Sequence, residues 1–227
     1  MVLRLRRLRH RIAGPRSEAG FSLRHLLRSC WHADRGIGRL LCREAEFLVV
    51  DAEMSSLDLR KGELLSVGWV VIRDGRINLS SARHLLLKPS QTVGDSAAVH
   101  NLRDCELQEG MSEAEMLGKL LRAARGRVLV FHHAPLDLAY LNRSSKRLCG
   151  SPLLLPVIDT LKQEKLRLER RNLPLGDNVL RLASCRARYN LPDYPAHNAL
   201  LDALATAELF LAQLAHRGAQ VRVRELL

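Results

Sequence analysis

The sequence lacks the features that mark secreted and membrane-spanning proteins. Its five cysteines are odd in number, widely spaced and never form a C-x-x-C pair, so a disulfide framework and a secreted origin are disfavoured. Its apolar runs are broken by Arg, His or Asp well short of the ~20 residues that span a bilayer. These absences favour a folded cytoplasmic protein in a reducing compartment, with no membrane partner.

Aromatic and acidic residues are also scarce. Phe, Trp and Tyr make up 4% of the chain, which argues against extensive stacking on bases. Lys and Arg number 36 against 24 Asp and Glu, for a formal net charge of +12. This balance favours a polyanionic partner such as nucleic acid, bound mainly through its backbone charge. The chain has 227 residues, 47% of them hydrophobic, and can therefore bury a core of its own.

Residues 1–43 differ in composition from the rest of the chain. Six arginines lie within the first 16 residues, and Glu18 and Asp34 are the acids that precede Glu44. Three interpretations are open: a basic arm on nucleic acid, an Arg-rich targeting peptide, and a solvated or partner-binding extension, which leucines at helical spacing favour. We therefore predict a basic Arg-rich extension at 1–43, a domain at 44–218 and a short tail at 219–227.

Short apolar and alternating runs predict five strands. Asp74-Gly75 joins two β-rich runs, and this dipeptide favours a tight hairpin because it tolerates positive φ. Pro156 places the last strand at an edge of the sheet. The predicted strands are 47–53, two runs within 63–87, 127–133 and 153–160.

Helix signals alternate with the later strands. The run from Ser112 to Glu115 is a capping box, and Gly126 and Gly218 are typical of helix C-terminal ends. Three successive strands followed by alternating helices and strands predict a three-layer α/β/α domain, with a five-stranded mixed sheet that begins as an antiparallel meander. The predicted helices are 113–125, 135–147, 161–170, 176–187 and 198–216.

Four acids stand where the predicted sheet can bring them together. Asp51 and Glu53 are two apart on one strand and share a face, where two carboxylates repel each other unless a cation compensates. Asp137 follows the fourth strand, at the edge where open α/β sheets bind ligands. Asp202 lies in an apolar helix and needs a partner, and His197 precedes that helix. Each piece by itself also fits a strand end, a helix-terminal acid or a surface histidine.

Taken in order, these residues resemble a known family. D-x-E on the first strand, Asp after the fourth and H-x4-D on the last helix resemble the DnaQ-like, DEDDh-type 3′ to 5′ exonucleases. The resemblance covers about residues 47–216 and implies a ribonuclease-H-like fold. It also implies that Asp51, Glu53, Asp137 and Asp202 hold two divalent ions, Mg²⁺ or Mn²⁺, and that His197 is the general base. Such ions suit phosphodiester hydrolysis because they activate water and neutralise developing charge.

The substrate contacts that the resemblance implies depart from the family pattern. The family's T-T-G-L after D-x-E reads M-S-S-L from Met54. Met54 and Ser55 are candidates for holding a terminal 3′ hydroxyl, and Leu57 matches the residue that wedges against the terminal base. His133 stands where the family has Asn in H-N-A-x-F-D. His100, in a segment that resembles H-G-I-T, is either a substrate contact or a structural histidine.

The resemblance implies a metal-dependent exonuclease that releases nucleoside monophosphates from single-stranded 3′ ends, with DNA favoured, in proofreading or repair. The expected partners are those 3′ ends and, through the basic extension, a polymerase or another protein. Two alternatives stay open: a non-catalytic nucleic-acid-binding module that keeps the fold, and a small-RNA-degrading ribonuclease of the same fold.

Overall fold

The structure is a computed structural model that describes residues 18–89, 107–195 and 197–227. The strands are β1 (Phe47–Met54), β2 (Leu64–Arg73), β3 (Arg76–Leu86), β4 (Val128–Phe131) and β5 (Val157–Asp159). The helices are α1 (Glu18–Ala33), α2 (Glu113–Ala124), α3 (Ala134–Cys149), α4 (Thr160–Arg170), α5 (Leu182–Ala187) and α6 (Ala199–Arg217). Their order along the chain is the one that the sequence predicts.

The strands form one mixed sheet in the order β3-β2-β1-β4-β5. β1, β2 and β3 are an antiparallel meander, which turns at Asp74 and Gly75 with φ of 51° and 67°. β4 runs parallel to β1, and β5 runs parallel to β4. The carboxyl ends of β1, β4 and β5 therefore lie at one edge of the sheet. The predicted mixed sheet and its opening meander are confirmed.

Helices cover both faces of the sheet and give the predicted three layers. On one face, α1, α2 and α3 pack against alternate residues of β1 such as Leu48 and Val50. On the other, Phe47 and Val49 pack against α6, where the rings of Phe47 and Phe210 lie 4.9 Å apart. Because side chains alternate along a strand, Asp51 on β1 projects from the α6 face.

Part of the predicted extension belongs to the packed domain. Leu23, Leu27 and Cys30 on α1 are buried in the core beneath α2 and α3. Near the other end of the chain, Val223 and Leu226 are buried in the core beneath α6. Residues 18–43 are therefore not a solvated extension, since their apolar face has a partner. Residues 1–17 lie outside the described residues, and the ranges 1–43, 44–218 and 219–227 stay a prediction as functional units.

Positive backbone φ angles shorten three predicted elements. β4 ends at Phe131 because His133 has φ of 70°, and β5 begins after Leu154, whose φ is 49°. The helix predicted at 176–187 forms only over Leu182–Ala187, and Asn178 before it has φ of 64°. A left-handed residue interrupts both an extended strand and a right-handed helix.

Among the described helices, α6 is long and apolar enough to pass for a membrane span by length and composition. It packs across β1 and β2, where Ala203, Ala207 and Phe210 are buried. Core helices meet the same criterion, because a helix covered on several sides is apolar around much of its circumference.

Because α1 belongs to the core, Leu27→Ala should destabilise the protein by about 2–5 kcal/mol through loss of a fully buried side chain. Leu27 is 0% exposed. Ser22→Ala, on an exposed position of the same helix, should stay within about 0.5 kcal/mol. Urea unfolding measures both, and equal small effects would show that α1 does not stabilise the domain.

Candidate active site

Three acids converge on the α6 side of the sheet. One side-chain oxygen from each of Asp51, Glu53 and Asp202 lies within 4.8 Å of the others. Asp51 and Asp202 are half-buried and Glu53 is buried. β1 supplies the first two acids, because residues two apart share a face, and the first turn of α6 supplies the third.

Gly68 on β2 allows α6 to approach this closely. It pairs with Asp51 in the antiparallel register. A methyl group at Gly68 would overlap the backbone of Ala199 and Leu200, where α6 begins. Sequence reasoning missed this residue, although an isolated glycine within a strand is a known signal of close backbone approach.

Asp137 joins the cluster from a neighbouring element. It lies in the first turn of α3, directly after β4, and is 6% exposed. Its Oδ1 accepts a 3.0 Å hydrogen bond from the backbone N–H of Ala52, between Asp51 and Glu53. This bond ties α3 to the end of β1. Asp137 is not one of the three acids within 4.8 Å of one another, but its charge acts on Asp51.

His197 is attached to the cluster through its backbone. The N–H groups of His197 and Asn198 donate to Oδ2 of Asp202, at 2.9 and 3.2 Å. The Asn198 side chain accepts from Leu200 and Leu201 and so caps α6. His197 has φ of 69°, and its residue is exposed. The predicted placement in the loop before the helix is confirmed, and the imidazole is accessible from solvent.

Burial raises the pKa of all four acids, and repulsion from the other acids of the cluster adds to it at Asp51 and Glu53. Burial raises the pKa of Asp51 well above its usual value, and the charges of Asp137, Asp202 and Glu53 add to it. Burial, then Asp202 and Asp137, raises the pKa of Glu53 to about 7. Burial raises the pKa of Asp137 to about 7 against the opposing effect of backbone N–H groups. Burial also raises the pKa of Asp202, and the N–H groups before α6 together with the charges of His197 and Arg186 oppose this rise.

These donors fit a hard divalent cation. Among the described residues, no ion pair to Lys or Arg involves Asp51, Asp137 or Asp202. Carboxylate oxygens are the ligands that Mg²⁺ and Mn²⁺ prefer. A cation held among the acids would relieve the repulsion that raises the pKa values of Asp51 and Glu53.

The candidate substrate residues have different surroundings. Met54 is 8% exposed, whereas Leu57 is 80% exposed and leaves its side chain available at the end of β1. The hydroxyl of Ser55 accepts from the backbone N–H of Glu63 at 2.9 Å and closes the loop after β1. His133 is exposed at the start of α3. The substrate role of each stays a prediction.

His100 lies outside the described residues, so both interpretations of it stay open.

Asp159 supports the edge of the sheet that carries Asp137. Its carboxylate accepts from the N–H groups of His133 and Ala134 at the start of α3, and from Leu161 and Lys162 in α4. Asp159 is thus the N-cap of α4. That it also holds the turn before α3 could not be read from local sequence, since β5 and that turn are distant along the chain.

Comparison with known protein families shows the family to which the chain belongs. The family RNase_T, described as Exonuclease, matches residues 48–210. The chain belongs to this exonuclease family. Its order of acids and histidine places it with the DnaQ-like, DEDDh-type 3′ to 5′ exonucleases, as the sequence predicts.

Relatives of this exonuclease family member include DNA polymerase III proteins. The chain is 32% identical over 168 residues to DNA polymerase III PolC-type of Thermotoga petrophila, which covers 74% of this chain and 12% of that protein. It is 27% identical over 153 residues to DNA polymerase III subunit epsilon of Escherichia coli, over 66% of this chain and 61% of that protein. The match to the PolC-type relative thus spans a small part of its length.

Solved exonuclease structures share the fold. The nuclease domain of 3′hExo, a DEDDh family member bound to rAMP, has a TM-score of 0.65 at 12% identity, over 81% of this chain and 98% of that one. E. coli Exonuclease I in complex with a dA16 oligonucleotide has a TM-score of 0.59 at 14% identity, over 74% of this chain and 40% of that one. The ribonuclease-H-like fold expected for the exonuclease family is confirmed.

Gly68→Ala should weaken metal binding as well as stability, because the added methyl group pushes α6, and with it Asp202, away from β1. Misplacement of a site residue such as Asp202 by about 1 Å can lower activity about 100-fold. Calorimetric titration with Mn²⁺ and thermal unfolding measure the effect. Gly38→Ala is the matched control, since its methyl carbon would lie at an ordinary 3.5 Å from Cβ of Arg224. Unchanged Mn²⁺ affinity in Gly68→Ala would contradict the close-approach argument.

The raised pKa values predict a pH dependence of stability in the metal-free protein. Acids with raised pKa keep protons in the folded state that the unfolded chain loses, so their contribution to stability falls as pH rises from about 4 to about 7. In EDTA, Asp51→Asn should therefore be more stable than wild type at pH 8 and nearly equal at pH 4. Thermal unfolding at both pH values measures this difference.

Added Mg²⁺ should raise the melting temperature of wild type at pH 8 and leave Asp51→Asn unchanged. Glu169→Gln, which neutralises an acid 45% exposed on α4, is the control and should respond to Mg²⁺ as wild type does. A destabilised Asp51→Asn at pH 8 without metal would contradict the repulsion between the acids.

Proposed function

We propose that the protein is a metal-dependent 3′ to 5′ exonuclease that removes nucleoside monophosphates from single-stranded 3′ ends, with DNA favoured, in proofreading or repair. The observation that carries this proposal is the convergence of Asp51, Glu53 and Asp202 within 4.8 Å, with Asp137 bonded between the first two. In a non-catalytic binding module, a cluster of acids that repel each other would also repel the phosphate backbone and weaken binding.

The four acids and His197 have different proposed roles, metal binding and proton transfer. Asp51, Glu53, Asp137 and Asp202 would hold two divalent ions, Mg²⁺ or Mn²⁺. Such ions, when bound, lower the pKa of water and neutralise charge on the phosphate and the leaving oxygen. His197, whose ring is exposed and whose backbone is tied to Asp202, accepts the proton of the attacking water as general base.

The proposed substrate contacts lie on the same edge of the sheet. Leu57 offers an exposed apolar side chain to the terminal base, next to Met54 and Ser55 at the end of β1. The side chain of His133 starts at the cap of α3, four residues before Asp137. Histidine in place of the family's asparagine keeps a hydrogen-bonding group there but changes its reach and charge.

The proposed preference for DNA over RNA rests on the names of the relatives with similar sequences. The PolC-type and epsilon relatives, at 32% and 27% identity, are named as DNA polymerase III proteins. The likeness to 3′hExo bound to rAMP is at 12% identity and shows the fold alone. No observation on the described residues favours the small-RNA ribonuclease over the DNA exonuclease.

The same relatives support a polymerase as partner and a cytoplasmic location as parts of the proposal. The basic segment 1–17, outside the described residues, is the part of the predicted extension that we retain as a protein or nucleic-acid contact. A deletion that tests this contact has to stop at residue 17, because Leu23 and Leu27 are core residues.

Wild-type protein with Mg²⁺ or Mn²⁺ should shorten a 5′-labelled single-stranded DNA from its 3′ end and leave a ladder on a denaturing gel. EDTA should abolish the ladder. Asp51→Asn should remove activity, because it weakens the metal cluster, and His197→Ala should lower kcat about 10²–10⁴-fold through loss of the general base. A matched RNA oligomer measures the sugar preference.

His32→Ala, at an exposed histidine on α1, is the control and should keep wild-type kcat. Binding of DNA without metal-stimulated cleavage would support the non-catalytic module instead. Faster cleavage of RNA than of DNA would overturn the substrate preference.

A further inference from the structure

The loop that carries His197 is fixed at both ends to α6. At its C-terminal end, the N–H groups of His197 and Asn198 bond to Asp202. Its N-terminal end lies beyond α5, and two side chains, Arg186 and Tyr194, connect it to α6. Sequence reasoning attached no role to this arginine, which looks like one more charge in a basic chain.

Arg186 is a buried cation with several partners. Its side chain is 4% exposed. One guanidinium nitrogen, Nη1, donates to the carbonyl of Ala205 on α6, and the other, Nη2, donates to the carbonyl of Pro192 in the loop at 2.7 Å. Nη2 also pairs with Oε2 of Glu208 on α6 at 2.7 Å. The arginine therefore connects α5, the loop and α6.

Tyr194 completes the connection. Its ring lies under the Arg186 guanidinium, with 4.7 Å between the guanidinium carbon and the ring centroid. Its hydroxyl donates to Oε1 of Glu208 at 2.9 Å. Each carboxylate oxygen of Glu208 thus has its own partner, one from α5 and one from the loop. Tyr194 precedes His197 by three residues, so little chain separates this contact from the proposed general base.

The bonds to Asp202 and the contacts of Arg186 are made along the same helix, α6. Ala205 and Glu208 lie three and six residues after Asp202, about one and two helical turns further on. The same rigid helix therefore presents Asp202 to one end of the loop and the Arg186 contacts to the other. A planar guanidinium with fixed donor directions suits this task, because it specifies orientation as well as distance.

We propose that Arg186, with Glu208 and Tyr194, is a positioning group that sets the place of His197 relative to the Asp51–Glu53–Asp202 cluster. This inference rests on the proposed function of His197 as general base. Arg186 touches neither substrate nor metal in this proposal; it acts through the loop.

A neighbouring arginine provides a matched control. Arg188, two residues further along, is also partly buried and pairs with Glu164 at 2.9 Å, and it donates to the carbonyl of Val179. Among the described residues, its hydrogen bonds are with α4, with Cys185 on α5 and with the segment before α5, not with residues 191–195. Replacement of the guanidinium in an ion pair is therefore common to Arg186→Lys and Arg188→Lys, whereas loss of the loop attachment is particular to the first.

Hydrogen exchange of the full chain without metal tests the positioning directly. The amides of His197 and Asn198, protected by Asp202, should exchange about 10-fold faster in Arg186→Lys, since the loop opens more often. In Arg188→Lys their exchange should match wild type. Tyr194→Phe, which keeps the ring but removes the bond to Glu208, should give a smaller change in the same direction and serves if Arg186→Lys does not fold.

Kinetics on single-stranded DNA give the second readout. Arg186→Lys should lower kcat by about 10-fold or more with KM within about twofold, and Arg188→Lys should not. In a His197→Ala background, Arg186→Lys should cause no further loss, because its effect passes through that residue.

Two outcomes would overturn the proposal: equal amide exchange in the two lysine variants, or a full additional loss of kcat in the His197→Ala background. If wild-type protein shows no nuclease activity, the proposed function fails, and hydrogen exchange still decides whether Arg186 fixes the loop.

Discussion

The site depends on holding mutually repelling carboxylates close together in a partly buried pocket. The protein does so with neutral donors: the backbone N–H of Ala52 binds Asp137, and those of His197 and Asn198 bind Asp202. Amide groups orient a carboxylate without cancelling its charge. The pocket therefore keeps its attraction for a divalent cation, which a lysine or arginine at the same place would have removed.

Three features of the sheet bring these acids together. Parallel pairing of β1 and β4 sets Asp51 and the start of α3 at the same edge. Gly68 lets α6 lie against β2 opposite Asp51. Asp159 then holds the turn before α3 through backbone N–H groups. A rigid scaffold of this kind can place ligands within the small tolerance that metal-assisted chemistry requires.

Local patterns predicted much of this architecture. Alternation along β1 put Asp51 and Glu53 on one face, and Asp74-Gly75 formed the expected hairpin turn. The predictions were less accurate where backbone conformation depends on distant contacts. Residues before α5 read as helical, yet the carbonyl of Leu180 is bonded to the ring of His132 on the sheet edge, 48 residues away. The leucines of α1 indicated a helix but not the core that buries Leu27.

The sequence by itself determined the strands that carry the site and the hairpin turn, because these follow from side-chain periodicity and local turn chemistry. The order and spacing of its acids and histidine carried the resemblance to the exonuclease family. The tertiary structure decided how near α6 comes to β1, which side of the sheet α1 covers and what Arg186 binds. Those contacts join residues far apart along the chain. Their energy depends on packing and burial, which a local pattern of residues does not contain.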